Sequence, residues 1–142
     1  MKAINKFTGI LIVVFFVSLL ATACATTSFK LPEKYNFDNE LQEAKGITNY
    51  IIDSWIPIDT QSLIIRTHQN DYYLLILQQP APRLPYAETI GATVTVNWIK
   101  PGYDIIVVSD LSGSQQYVIQ KMYKLKDNAQ ANEIRKRLLK SK

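Results

Sequence analysis

The chain has 142 residues, 47% of them hydrophobic and 20% charged, with a formal net charge of +4. Its length suits one domain, whose stability must come from ordinary apolar packing. A single cysteine, Cys24, and a single histidine, His68, exclude an intrachain disulfide and a zinc site drawn from several such ligands.

The first residues, Met1 to Lys6, are short and basic. From Phe7 to Ala23 no charge appears, and Ile10 to Val17 is apolar without a break. A basic start, a short apolar run and small residues before a cut site describe an export signal. The run is also short for a membrane span, which needs about 20 apolar residues. An ordinary secretory signal needs no cysteine after its small residues, yet Leu20-Ala21-Thr22-Ala23 leads straight into Cys24. This stretch resembles a bacterial lipobox, with one departure: the leucine is at Leu20, and Ala21 holds the place three before the cysteine where the box usually carries it. The resemblance implies removal of residues 1–23 and acylation of Cys24, palmitate included, with no further cofactor. Each buried methylene of the acyl chains adds about 0.8 kcal/mol to the anchor. Ala25 follows the cysteine where aspartate would favour the inner membrane, so the expected location is the inner leaflet of the outer membrane, facing the periplasm. The alternatives are an ordinary signal peptide, giving a soluble periplasmic protein, or an uncleaved anchor.

Residues 24–37 are expected to form a lipidated tether, small and polar and broken by Pro32. Asp38 to Gly46 reads as a short helix: Asp38 can cap it, Glu40 suits its first turn and Gly46 stops it. Strands then follow at Tyr50–Ile58, Ser62–Thr67, Tyr72–Leu77, Thr93–Trp98, Tyr103–Val108 and Tyr117–Leu125. Pro57 makes the end of the first an edge or a bend. Tyr72 to Leu77 is apolar on both faces, which predicts a central strand covered on both sides. Pro80, Pro82 and Pro85 impose a rigid loop, which Leu84 and Tyr86 are expected to pin to the core. Thr93 to Trp98 alternates, with Val94, Val96 and Trp98 on one face. Pro101-Gly102 fits the centre of a type II turn. The last strand places Tyr117, Ile119, Tyr123 and Leu125 on one face. Asp127 caps a final helix from Ala129 to about Leu139, with a stripe of Ala131, Ile134 and Leu138 that Leu139 widens.

The predicted fold is therefore mainly β: a small six-stranded antiparallel barrel or sandwich with a short N-terminal helix and a C-terminal helix. The organisation is a signal at 1–23, a tether at 24–37, a β-rich domain with its leading helix at 38–126, and a basic helix at 127–142. Charge divides along the same line. Residues 24–120 carry a net −4 and residues 121–142 a net +6. Arg135, Lys136, Arg137 and Lys140 could form a solvated helix end, or touch anionic headgroups or another acidic surface.

A further resemblance rests on Ser54-Trp55 with Ile58-Asp59, Ser62-Leu63-Ile64-Ile65, Tyr73 to Leu77, Leu84 with Ile90, Gly102-Tyr103-Asp104, and Ile119 with Met122-Tyr123-Lys124-Leu125. Over about Ile47 to Leu125 the chain resembles a family of small exported bacterial proteins known only as a domain of unknown function. The resemblance implies a cysteine pair in many relatives, which this chain lacks. It implies no activity.

Catalytic sets are sparse. Acylation would remove Cys24 as a nucleophile, and His68 sits in a polar turn with no Gly-x-Ser-x-Gly elbow to serve. Ser112-Gly113-Ser114 lacks the lysine and glycine spacing of a phosphate loop. Asp53, Asp59 and Asp104 could converge for acid–base work on a glycan, or each could simply shape a local turn. The aromatics, interleaved with Arg66, Lys100 and Lys121, imitate a nucleic-acid platform. Export makes a glycan, peptide or protein the better partner, and most of the rings suit cross-strand pairs. The expected function is a non-enzymatic, membrane-anchored module that binds an envelope protein or glycan, with no metal and no nucleic acid. The rival is a carboxylate-dependent envelope hydrolase.

Overall fold

A computed structural model of the chain describes residues 30–48, 50–94 and 97–141. Leu20 to Cys24 lie outside them. Every element below belongs to the compact unit Leu31–Lys142. After a single 3-10 turn at Glu33–Tyr35 come β1 (Gln42–Glu43), β2 (Ile52–Pro57), β3 (Ser62–Thr67) and β4 (Tyr72–Leu77). A second 3-10 turn, Leu84–Tyr86, precedes β5 (Thr89–Thr93), β6 (Ile105–Asp110), β7 (Gly113–Leu125) and the helix α1 (Asn128–Lys140).

The strands run in the order β2-β3-β4-β7-β6-β5, all antiparallel, and form a nearly closed six-strand barrel. Six strands carry the interior: Ile52 and Trp55, Leu63 and Ile65, Tyr73, Leu75 and Leu77, Ile90 and Ala92, Ile106 and Val108, and Tyr117, Ile119 and Met122. The outer face of β3, β4 and β7 has its own core. There Ile64, Leu74, Ile76, Tyr123 and Leu125 meet Ala131, Ile134 and Leu138 of α1. This double burial explains why Tyr72–Leu77 shows no alternation: β4 is central and covered on both faces, as its sequence predicts.

β7 is the hub because it is long. Its first half pairs with β6, and its second half pairs with β4 on one edge. The opposite edge of that second half is taken by β1, through Gln42↔Lys124 and Glu43↔Tyr123. The short helix expected over Asp38 to Gly46 is therefore a turn and a strand. Nine residues bearing only Leu41 and Ala44 as apolar contacts make a marginal helix, and the free edge of β7 offers backbone partners instead. Asp38 and Glu40, which read as cap and dipole partners, bond to Tyr123 and Arg137.

Gly46 serves packing rather than helix termination. A Cβ there would lie 2.2 Å from Cε3 of Trp98 and 3.1 Å from the Ile99 carbonyl oxygen. Gly46→Ala is expected to lower stability by about 1–2 kcal/mol, the usual range for overpacking. A urea midpoint with a shift in tryptophan emission checks it, and unchanged values for both would refute the close seat.

Further expectations are corrected. β5 lies at Thr89–Thr93, not Thr93–Trp98, because the inward phase begins at Ile90 and Ala92 and the ladder to β6 starts there; residues 95 and 96 lie outside the described residues. Leu84 pins the proline loop, but Tyr86 is 79% exposed. The last strand does not keep one face. The β4 register steps from Ile76↔Lys121 to Leu77↔Ile119, so Gln120 has no partner on β4. This irregularity sends Tyr117 and Ile119 into the barrel and Tyr123 and Leu125 beneath α1.

Local chemistry holds elsewhere. Gly102 takes φ +82°, as the second central position of a type II turn requires. The Asp127 side chain accepts the Gln130 N–H at 2.9 Å and starts α1. The stripe of Ala131, Ile134 and Leu138 is buried, while Leu139 stays 40% exposed and does not widen it. Tyr35 and Phe37, in the stretch expected as tether, are each 1% exposed and belong to the outer core.

Candidate functional site

The three carboxylates that could have formed an acid–base set each serve a different structural task. Asp53, beside the irregularity in β2, pairs with Arg66 on β3. Asp59 lies in the turn between β2 and β3. Its Oδ1 accepts the N–H groups of Gln61 and Ser62 and the Ser62 hydroxyl, each at 2.8 Å. Its Oδ2 accepts the Tyr35 hydroxyl at 2.8 Å and the Lys34 ammonium at 3.0 Å. Burial pushes the Asp59 carboxyl up, but these donors outweigh it and hold the group below its ordinary 3.8. Asp104 is buried and accepts the Lys100 N–H at 2.7 Å, closing the Pro101-Gly102 turn. The local reading of Asp59 and Asp104 as turn-forming residues thus matches their bonds.

The other expected candidates separate by exposure. His68 is exposed in the β3–β4 turn, where its backbone N–H meets the Ile51 carbonyl. Tyr73, Tyr117 and Tyr123 are buried. Among the described residues Tyr86 and Tyr103 are the exposed rings, and Tyr103 carries the Lys100 ammonium 4.6 Å from its centroid. Among the described residues no cluster of histidine and carboxylates could hold a metal ion. No described helix is long and apolar enough to cross a membrane.

The basic residues of α1 do not act as one set. Arg137 reaches Glu40 with both terminal nitrogens, one at 2.8 Å, and lies 4.9 Å from the Phe37 ring centroid. The Arg137 guanidinium holds the Glu40 carboxyl below its ordinary 4.5, with burial opposing. Arg137 is thereby a clasp between the N-terminal arm and α1. Arg135, Lys136 and Lys140 are exposed and make no ion pair among the described residues. Sequence alone ranked these four residues equally. Nothing local marks Glu40 as the partner of Arg137, which stands 97 residues away.

The depressions beside this region are shallow. One of about 310 Å³ lies between Glu40, Gln42, Lys124 and Gln130. Another of about 420 Å³ runs along Glu133, Lys136, Arg137 and Lys140. None of Asp53, Asp59 and Asp104 lines either of them.

A family model, described as a family of unknown function and designated DUF6491, matches residues 7–141. No curated protein and no solved structure matches the chain.

Proposed function

The chain belongs to DUF6491, a family of unknown function that brings it no assigned activity, and on that premise we propose that it is a non-enzymatic lipoprotein: acylated at Cys24, held on the inner leaflet of the outer membrane, and presenting its barrel to the periplasm to bind an envelope protein or glycan. One observation supports the non-enzymatic part above others. Asp53, Asp59 and Asp104 each have their own ion pair, turn or cap. A hydrolase needs one carboxyl held protonated and a second facing it across the substrate, and Asp59 is instead pulled toward ionisation. The anchored part is supported by the sequence from Met1 to Ala25 alone.

The test is metabolic labelling with radioactive palmitate followed by membrane fractionation. Wild type is expected to take the label and to sediment with outer membranes; Cys24→Ala is expected to be exported without label and to appear in the soluble periplasm. Labelling that survives Cys24→Ala would sink the anchored reading. Turnover of an envelope glycan, lost in Asp104→Asn while the domain stays folded, would replace the binding reading with the hydrolase.

A further inference from the structure

We propose that the outer face of α1, formed by Arg135, Lys136, Leu139 and Lys140, lies on the surface of an anionic phospholipid bilayer. At 100° per residue, Ala131, Ile134 and Leu138 share the side buried against the barrel. Arg137 sits on one flank, occupied by Glu40, with Glu133 also acting on it. The opposite arc runs Arg135, Leu139, Asn132, Lys136, Lys140. Its three cations have no ion pair among the described residues, and its one apolar residue, Leu139, stays exposed.

No ion pair among the described residues accounts for this arc, although Glu133 lines the same depression as Lys136 and Lys140. Lys136 and Lys140 stand four apart, a like-charge spacing that weakens an isolated helix. The helix dipole rewards Lys140 in the last turn but not Arg135 or Lys136 earlier. A bilayer carrying anionic headgroups does explain it. Each cation gains near such a surface, and a lone leucine among cations can enter the headgroup boundary.

Chain reach points the same way. Leu31, where the domain begins, packs against the cluster that contains Ala131, Ile134 and Leu138. Six residues lie between it and Cys24, and those seven Cα steps span at most about 25 Å. The nearness of the membrane rests on the anchored reading proposed above; the chemistry of the face does not.

The experiment uses the full chain as Cys24→Ser with Leu139→Cys, labelled there with a polarity-sensitive fluorophore. It is reconstituted in vesicles of phosphatidylcholine alone or phosphatidylcholine with phosphatidylglycerol. A blue shift is expected only with phosphatidylglycerol, reversed by high salt. It should vanish in Arg135→Glu/Lys136→Glu/Lys140→Glu, whose thermal midpoint should stay near that of its parent. Each single neutralisation should lower the docked-to-free ratio roughly five-fold. Equal emission in the two vesicle types would overturn the proposal, as would a shift produced by an acidic protein but not by lipid. A chain that takes no palmitate yet shows the phosphatidylglycerol shift would keep this proposal and lose the anchored one.

Discussion

Tyr123→Ala is expected to lower the stability of the domain by about 4 kcal/mol, the usual cost of emptying a buried aromatic site. For a domain near 100 residues that is roughly 15–25 °C of thermal midpoint. The size follows from what the side chain joins. Its ring meets Phe37 edge-on, with centroids 5.7 Å apart, inside the core beneath α1. Its hydroxyl accepts the Phe37 N–H at 3.2 Å and donates to Asp38 at 2.8 Å. This one side chain thus joins Phe37 and Asp38 to β7, beside the Lys121–Asp38 ion pair and the β1 ladder. Tyr123→Phe separates the two contributions. It keeps the ring contact but leaves the buried Phe37 N–H unpaired, at an expected cost of about 1–2 kcal/mol. Calorimetry of the two variants checks the pair. Equal losses would mean that the hydroxyl, not the ring, carries the tie; no loss in Tyr123→Phe would mean that the hydroxyl bonds contribute nothing.

Asp59→Ala is expected to cost about 3 kcal/mol, because it strips partners from the Gln61 and Ser62 N–H groups and from the Tyr35 hydroxyl at once. Asp59→Asn retains an acceptor oxygen but loses the charge facing Lys34, and about half that cost is expected. The same residue shapes the acid limit of the fold. Its folded carboxyl titrates below 3.8, so the folded state releases the proton more readily than the unfolded chain. The stabilisation is therefore complete above about pH 4 and is lost as pH falls through the depressed folded value. Asp38 and Glu40, held down by Lys121 and Arg137, act in the same direction. Urea midpoints measured from pH 5 to pH 2 should fall less steeply in Asp59→Asn than in wild type. Parallel curves would show that Asp59 is not a source of the acid sensitivity.

Asp59 also shows how far a functional candidate can be judged from sequence. An aspartate beside Thr60-Gln61-Ser62 reads first as a turn residue, since no spacing rule selects it as an acid–base partner. The bonds to Gln61 and Ser62 were legible, since they span two and three residues. The bonds from Lys34 and Tyr35 were not, since they close a separation of about 25 residues that no local pattern encodes. Arg137 is the same case among the cations. Its neighbours on α1 are alike in composition, and only the fold places Glu40 under it.

The sequence by itself determined whatever depends on a few adjacent residues: the Asp127 cap and buried stripe of α1, the left-handed Gly102 in its turn, the apolar run that makes β4 central, and the mainly β class. Each is set by backbone dihedrals or side-chain periodicity within about one turn or one strand. Only the tertiary structure decided that Asp38 to Gly46 runs against β7 instead of coiling, because a short polar helix is weaker than a free strand edge. The same holds for the irregularity at Gln120, which redirects Tyr123 and Leu125 from the barrel interior to the helix-covered face. Side-chain direction in a strand has a period of two, so a single unpaired residue reverses everything after it, and its position is fixed by the register of β4 rather than by β7's own sequence.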